Sequence, residues 1–197
     1  HRMSIYTKGV IFMSYYTEDD LIEMGFKHVG KNVKISKKAS FYYPQDIILG
    51  DNCRVDDFCV LSGKIKLGRN VHIAVFCNLA GGDEGIEMED FSTLAYFCNV
   101  FTRSDDYSGE TMTNATVPNE YKNVKKAPVR IGRHVIVGTG STIFPGVHVR
   151  EGCSIGAYTL VTKSTEPWKI YIGIPAKPLK ERKKDLLILE KKFLNNS

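Results

Sequence analysis

Aliphatic residues recur every six positions along much of this chain. An α-helix does not produce this spacing, because six residues rotate by about 600° at 3.6 residues per turn and the apolar side chains would spiral around the axis. A straight strand has no reason to repeat every six residues. The pattern therefore predicts a β-solenoid, in which short strands alternate with corners. The repeating aliphatics are Leu49, Val55, Leu61, Leu67, Ile73, Leu79, Met88, Leu94, Val100, Ile131, Val137, Ile143, Val149, Ile155 and Val161.

The positions between these aliphatics have the sizes that a narrow solenoid requires. The residue after each aliphatic is often glycine, alanine or an acid, as expected at a tight corner. The residue four positions after each is small or β-branched, and all five cysteines of the chain fall there. No CxxC spacing occurs, so we expect small, buried side chains stacked along one line rather than disulfides or zinc ligands. The cysteines are Cys53, Cys59, Cys77, Cys98 and Cys153.

Breaks in the repeat divide the chain into three parts. Residues 1–28 form an N-terminal extension, in which Thr17 is expected to cap a short helix that ends at Gly25. Residues 29–166 form the solenoid, which begins with a ragged coil. The regular coils are predicted at 49–66, 67–84, 88–105, 131–148 and 149–166, with a three-residue slip between the second and third.

The remaining segments depart from the repeat. Residues 104–128 form a polar loop inside the solenoid, and a loop of this length within a compact repeat is typically functional. Residues 167–197 form the C-terminal part. An amphipathic helix is predicted there over 178–194 from the spacing of its leucines and Phe193.

Composition narrows the classes of function. The chain has 197 residues and a formal net charge of +5, much of it from a basic C-terminal region, which is too little to indicate nucleic-acid binding. No apolar run approaches the roughly 20 residues that cross a bilayer. With an odd number of cysteines, these features predict a cytoplasmic protein. His1 and Arg2 have the look of an expression tag, with Met3 or Met13 as the natural start.

Several motifs resemble a known family. Residues 129–180, with VTKS at 161–164 and IPAKPLK at 174–180, resemble the hexapeptide-repeat acyltransferases, and the galactoside and maltose O-acetyltransferase group in particular. MSYYTEDDLIEMGFK at 13–27 and SDDYSGETM at 104–112 are more similar to the dTDP-4-amino-4,6-dideoxyglucose acyltransferases. The resemblance implies an all-β fold, a left-handed parallel β-helix. It also implies a homotrimer with its active sites between subunits, and acetyl-CoA as co-substrate.

The resemblance also assigns residues to coenzyme A. The corner residues Thr139 and Ala157 match positions that meet the pantetheine arm. The pair Thr162 and Lys163 matches positions beside the adenosine part. Two further lysines match basic residues at the phosphate end, where the family often has arginine; they are Lys177 and Lys180. Small residues permit close approach of a thin arm, and fixed cations suit phosphates.

The catalytic base departs from the family pattern. A histidine opens the long loop in the galactoside group, but that place is Asp105 here, and residues 104–128 contain no histidine. His134 and His148 lie in regular coils, where we expect surface roles. His72, at a corner of the second coil, is the candidate base, and Asp105 of a neighbouring subunit is expected to orient it. Asp106 and Tyr107 are candidates for binding the acceptor.

Alternative functions remain open at this point. A γ-type carbonic anhydrase needs three histidines that converge on zinc, and the histidines here lack a close pair, so no metal is expected. A non-enzymatic solenoid would not need the VTKS and IPAK segments. Between N-acetylation of a nucleotide-linked amino sugar and O-acetylation of a sugar hydroxyl we favour the former, because an amine needs a weaker base.

Overall fold

Short strands wind into a parallel β-helix in a computed structural model that describes residues 14–196. The strands are β1 (His28–Val29), β2 (Lys34–Ile35), β3 (Ser40–Tyr42), β4 (Ile47–Leu49), β5 (Arg54–Val55), β6 (Val60–Leu67), β7 (His72–Ile73), β8 (Asn78–Met88), β9 (Thr93–Leu94), β10 (Asn99–Phe101), β11 (Arg103–Ser104), β12 (Lys125–Lys126), β13 (Val129–Ile131), β14 (Ile136–Val137), β15 (Thr142–Ile143), β16 (His148–Val149), β17 (Ser154–Ile155), β18 (Leu160–Val161), β19 (Lys169–Ile172) and β20 (Lys177–Glu181). The helices are α1 (Glu18–Glu23) and α2 (Leu186–Asn195). The tag-like residues and the two candidate start methionines lie outside the described residues.

The strands stack into three faces. The first face contains β1, β4, β13, β16 and the second halves of β6 and β8. The second face contains β2, β5, β7, β9, β14, β17 and β19. The third face contains β3, β10, β15, β18 and the first halves of β6 and β8. Each coil therefore passes through three corners and rises by about one inter-strand spacing, ~4.8 Å.

The six-residue repeat lines the interior, as predicted. Every repeating aliphatic from Leu49 to Val161 is at most 2 % exposed. The predicted slip falls where β8 is three residues longer than β6, and the pairing of these two strands shifts register there. The inward side chains therefore fix the coils, and the outward ones are free to build a site.

The cysteines occupy two lines rather than the single line we expected. Cys59, Cys77 and Cys98 stack before the third face, whereas Cys53 and Cys153 lie before the second face. A step of six residues leads to the next corner, so only residues one whole coil apart share a line. All five thiols are free and buried, which leaves none as an exposed nucleophile.

The two ends of the solenoid differ from each other. At the N-terminal end, Thr17 and Asp20 form the predicted capping box of α1. At the other end β19 adds a further strand to the second face, one strand past the predicted end at residue 166. The predicted helix over 178–194 is wrong in its first half, because residues 177–181 form β20, antiparallel to β19. The last coil leaves an unpaired strand edge, and β20 satisfies its backbone groups before α2 begins.

The long loop leaves the solenoid after β10. Its two ends pair as the antiparallel strands β11 and β12. Arg103 in β11 binds Glu84 at 2.9 Å and Asp83 at 2.6 Å, both in the long strand β8. The loop is thereby fixed to the corner between the third and first faces.

Candidate active site

One corner of the β-helix brings most of the predicted site residues into a single column. This second corner, between the second and third faces, consists of residues 56–58, 74–76, 95–97, 138–140 and 156–158. Successive corners hydrogen-bond along the axis; the amide of Tyr158, for example, donates to the carbonyl of Thr139 at 2.8 Å. From the coil of His72 to the top strand β19 is four steps, about 19 Å. The column therefore has a base candidate at one end and cations at the other.

His72 lies on β7, two residues before this corner. Its Nε2 is 2.8 Å from Oδ2 of Asp56, which belongs to the corner of the coil below, and its side chain is 41 % exposed. Asp56 is only 8 % exposed, and its Oδ1 accepts a hydrogen bond from Nε of Arg54 at 2.6 Å. This hydrogen bond raises the pKa of Arg54 above its ordinary value. The imidazole thus contacts a buried, ion-paired carboxylate of its own chain.

Thr139 and Ala157 stack at the same corner, two and three coils above His72. A side chain at the neighbouring Gly138 would come within 2.6 Å of the amide of Ala157, so glycine is required for this stacking. Ala157 is exposed and Thr139 is half-buried. These two positions form the smooth, open part of the column that suits the close approach of a thin ligand.

The predicted phosphate-binding residues divide between two places. Lys177 pairs with Ile172, which packs over Gly156 of the second corner, so this lysine lies above Thr139 and Ala157. Lys180 pairs with Ile170, further along the same strand. Thr162 and Lys163 follow β18 at the next corner, on the opposite side of the third face. All four side chains are exposed, and within residues 14–196 the three ammonium groups have no ion-pair partner.

The loop residues Asp105, Asp106 and Tyr107 lie away from His72 of the same chain. They follow the third face, whereas His72 precedes it. Asp106 accepts hydrogen bonds from Ser108 and Thr111, chiefly from the Ser108 amide, and these lower the pKa of its carboxyl group. Asp105 receives only a long bond from the amide of Asn114, at 3.3 Å, and Tyr107 is 91 % exposed. Asp106 therefore organises the loop, while the other two side chains are available to a ligand.

A polar cavity lies beside this loop. It has a volume of about 600 Å³ and is formed between the third face and the first turn of the long strand β8. Its walls include Tyr43, Ser62, Gly82, Phe101 and Arg103. Since Arg103 is two residues from Asp105, the cavity opens next to the carboxylate of the loop.

Three phenylalanines form an exposed ladder along the second corner. Phe58, Phe76 and Phe97 stack with ring centroids 5.0 Å apart, and each is about half exposed. Their backbone φ angles are near +60°, which turns the chain at the corner and directs each ring outward. The sequence analysis missed this ladder, although the spacing of the three phenylalanines by whole coils is visible in the sequence.

The first corner, between the first and second faces, carries a similar stack that the chain itself covers. Phe91 stacks on His134 at 5.3 Å, and Phe193 of α2 contacts Phe91 edge-on at 6.1 Å. Glu190 of α2 binds His134 at 2.9 Å and also pairs with Arg133. The expected surface role of His134 is therefore wrong, because its side chain is only 9 % exposed beneath α2.

Two further observations limit the chemistry. Among residues 14–196, no three histidine, cysteine, aspartate or glutamate side chains are arranged to hold a metal ion. None of the described helices has the length and apolar character needed to span a membrane.

Comparison with known proteins places this geometry in a family. Residues 128–163 match the model described as the hexapeptide repeat of succinyl-transferase. The chain is 44% identical to dTDP-4-amino-4,6-dideoxy-D-glucose acyltransferase of Escherichia coli over 184 residues, which cover 92% of this chain and 95% of that protein. The chain belongs to the hexapeptide-repeat acyltransferases. Within them it groups with the dTDP-4-amino-4,6-dideoxyglucose acyltransferases, as the sequence motifs predicted.

Solved structures agree with this assignment. AntD, an N-acyltransferase from Bacillus cereus, superposes with a TM-score of 0.92 at 46% identity, over 93% of this chain and 99% of that chain, in a complex with dTDP-4-amino-4,6-dideoxyglucose and coenzyme A. A maltose O-acetyltransferase from Clostridium difficile matches less well, with a TM-score of 0.55 at 25% identity over 85% of this chain and 75% of that chain. The predicted left-handed β-helix and acyltransferase activity are confirmed, and coenzyme A is the co-substrate class.

Proposed function

We propose that this protein transfers an acyl group, acetyl in the first instance, from coenzyme A to the amino group of a dTDP-linked 4-amino-4,6-dideoxy sugar. The observation that carries the proposal is the match to AntD over more than nine-tenths of both chains, since that enzyme is crystallised with this nucleotide sugar and coenzyme A. AntD is also crystallised with 3-hydroxybutyryl-CoA. The acyl group is therefore one variable of the test below. Five free, buried thiols are consistent with work in the cytoplasm.

The column at the second corner suits coenzyme A. The pantetheine arm would run along Thr139 and Ala157 towards His72, and Lys177 above the column would meet the phosphates. Lys180 would meet them further along β20. Thr162 and Lys163 would contact the adenosine part from the next corner. In this arrangement the thioester lies at the end of the column where His72 and Asp56 are found.

Direct transfer follows from the side chains at that end. The acceptor nitrogen attacks the thioester carbon, and His72 takes a proton from the nitrogen as the C–N bond forms. When the C–S bond breaks, the proton held by His72 passes to the sulfur, and coenzyme A leaves as the thiol. No acyl-enzyme is needed, because every cysteine in the chain is buried.

The loop would complete the site from a neighbouring subunit. We propose that Asp105 of one subunit faces His72 of the next, where its carboxylate binds the acceptor amine and stabilises the imidazolium. Asp56 already occupies the Nε2 side of the ring, so Asp105 would act from the Nδ1 side. Tyr107 and the cavity beside the loop would hold the rest of the acceptor, and Asp106 would keep the loop in shape.

A homotrimer would bring these halves together. The support within the chain is the contrast between its two aromatic corners: α2 covers the stack at Phe91, whereas the ladder of Phe58, Phe76 and Phe97 is uncovered. Three half-exposed, stacked phenylalanines form an apolar strip of the kind that a subunit interface covers. A second copy of this chain is the proposed cover.

Substitution of Phe76 by aspartate should therefore break the assembly, because it places a charge in the middle of the covered strip. Light scattering on the size-exclusion peak is expected to give three times the chain mass for the parent and a single chain mass for Phe76→Asp. Ile188→Asp, at a 60 % exposed position of α2, is the matched control and should stay trimeric. A monomeric parent, or a trimeric Phe76→Asp, would contradict the placement.

The lysines give a separate prediction about coenzyme A. Lys163→Ala, Lys177→Ala and Lys180→Ala should each weaken coenzyme A binding about tenfold, because each removes one charge-assisted phosphate contact. Titration calorimetry measures this directly. Lys34→Ala, at an exposed position of the second face near the other end of the solenoid, is the control. Unchanged affinity in all three variants would refute the phosphate site.

The function itself is tested by thiol release with matched acceptors. We expect release of coenzyme A from acetyl-CoA when dTDP-4-amino-4,6-dideoxyglucose is added, and none with the nucleotide sugar that carries a hydroxyl in place of the amine. 3-Hydroxybutyryl-CoA in the same assay identifies the preferred acyl group. Turnover of the hydroxyl analogue, or of free galactosides or maltose, would instead favour O-acylation.

A further inference from the structure

The most heavily engaged carboxylate outside the expected site is Asp56. It is 8 % exposed, and both of its oxygens are used within the chain. Oδ1 accepts from Nε of Arg54 at 2.6 Å, and Oδ2 lies 2.8 Å from Nε2 of His72. A carboxylate buried to this degree needs partners for its charge, and here the histidine is one of the two.

We propose that Asp56 is the positioning residue of His72, and that it fixes which ring nitrogen is free to accept the proton. An ionised carboxylate only accepts hydrogen bonds, so the nitrogen that faces it carries the hydrogen. Nε2 of His72 therefore donates to Asp56, and Nδ1 is left unprotonated and directed towards the acceptor. This inference rests on the proposed role of His72 as the base.

The surroundings hold both partners in one arrangement. The guanidinium of Arg54 keeps the carboxylate from rotating away, and Tyr15 lies against that guanidinium at 5.9 Å. The hydroxyl of Thr93 donates to the backbone carbonyl of His72 at 3.1 Å. Ring orientation and tautomer are thus set before any ligand binds, which is what a general base requires.

Asp105 then has a different role from the one that the sequence suggested. The sequence analysis expected Asp105 of a neighbour to orient the imidazole. With Asp56 on the Nε2 side, orientation comes from the same chain, and Asp105 is left to the acceptor. The two carboxylates should accordingly give different kinetic losses when each is substituted.

The test compares Asp56→Asn with its neighbour. Asparagine is isosteric and can present an N–H to Nε2, which favours the tautomer with the hydrogen on Nδ1. We expect kcat to fall about 10²-fold or more, as when an orienting aspartate is replaced beside a catalytic histidine, with KM for both substrates unchanged. Asp56→Glu should recover part of the loss. Asp57→Asn, which loses only its bonds to Ser36 and Lys38, is the control.

Two comparisons separate this inference from the role of the base. In a His72→Ala background, Asp56→Asn should add no further loss, because both act through one group. An inactive His72→Ala with a fully active Asp56→Asn overturns the positioning role alone. A fully active His72→Ala overturns the base and the positioning role together. A raised KM with unchanged kcat for Asp56→Asn would make the aspartate a binding or structural residue and contradict the inference.

A measurement on the unsubstituted protein guards against a variant that does not fold. Nitrogen NMR of ¹⁵N-histidine-labelled protein distinguishes the two neutral tautomers, and the signals of His72 are those missing from His72→Ala. We expect the tautomer with hydrogen on Nε2. The Nδ1–H tautomer in the native enzyme would refute the inference.

Discussion

His72→Ala is expected to lower kcat by about 10²- to 10⁴-fold, the range typical for loss of a general base. Coenzyme A should bind the variant with unchanged affinity, since its proposed contacts lie two or more coils above His72. Thiol release at saturating substrates measures kcat, and titration calorimetry measures binding.

The reason for a large effect is that the thiols cannot replace the histidine. All five cysteines are buried, and Asp56 is enclosed by Arg54 and the ring itself. His148→Ala is the matched control, because His148 is a half-buried histidine of the first face, away from the second corner. Full activity of His72→Ala on the amino sugar would transfer the role of base to a carboxylate of the loop.

Asp105→Ala is expected to lower kcat/KM for the acceptor by about 10- to 10²-fold, because a charge-assisted contact to the amine is lost. KM for the acyl-CoA should not change, since the proposed coenzyme A contacts lie on the other side of the third face. Steady-state kinetics with each substrate varied in turn separates these two effects. Asp83→Ala is the control, because Asp83 is an exposed partner of Arg103 that the proposed site does not use. Equal losses for both substrates would argue against a contact with the acceptor.

The interior of the solenoid could be predicted from the sequence because its geometry admits few side chains. One inward aliphatic per strand, at a six-residue step, allows a single register, and residues such as Leu61 and Val137 are buried as that register demands. The capping box at Thr17 was equally local, since all its partners lie within three residues. Patterns of this kind depend only on neighbours along the chain.

Features that depend on stacking were harder to predict. Residues 56 and 72 lie in successive coils, so the Asp56–His72 contact follows only once the coils are aligned. The same alignment separates Cys53 from Cys59, which the six-residue repeat alone treats as equivalent. Residues 177–181 have the composition of an amphipathic helix, but the open edge of β19 decides in favour of a strand.

The central claim is that His72 of one subunit and Asp105 of another act on the same acceptor. The most direct measurement is the activity of mixed trimers made from His72→Ala and Asp105→Ala chains that carry different tags and are purified by both. A site shared across the interface leaves one of the three sites in each such trimer with both native residues, so about one-third of the parent activity should return. Mixed trimers no more active than the two single variants would place both residues in one chain's half of the site and contradict the account.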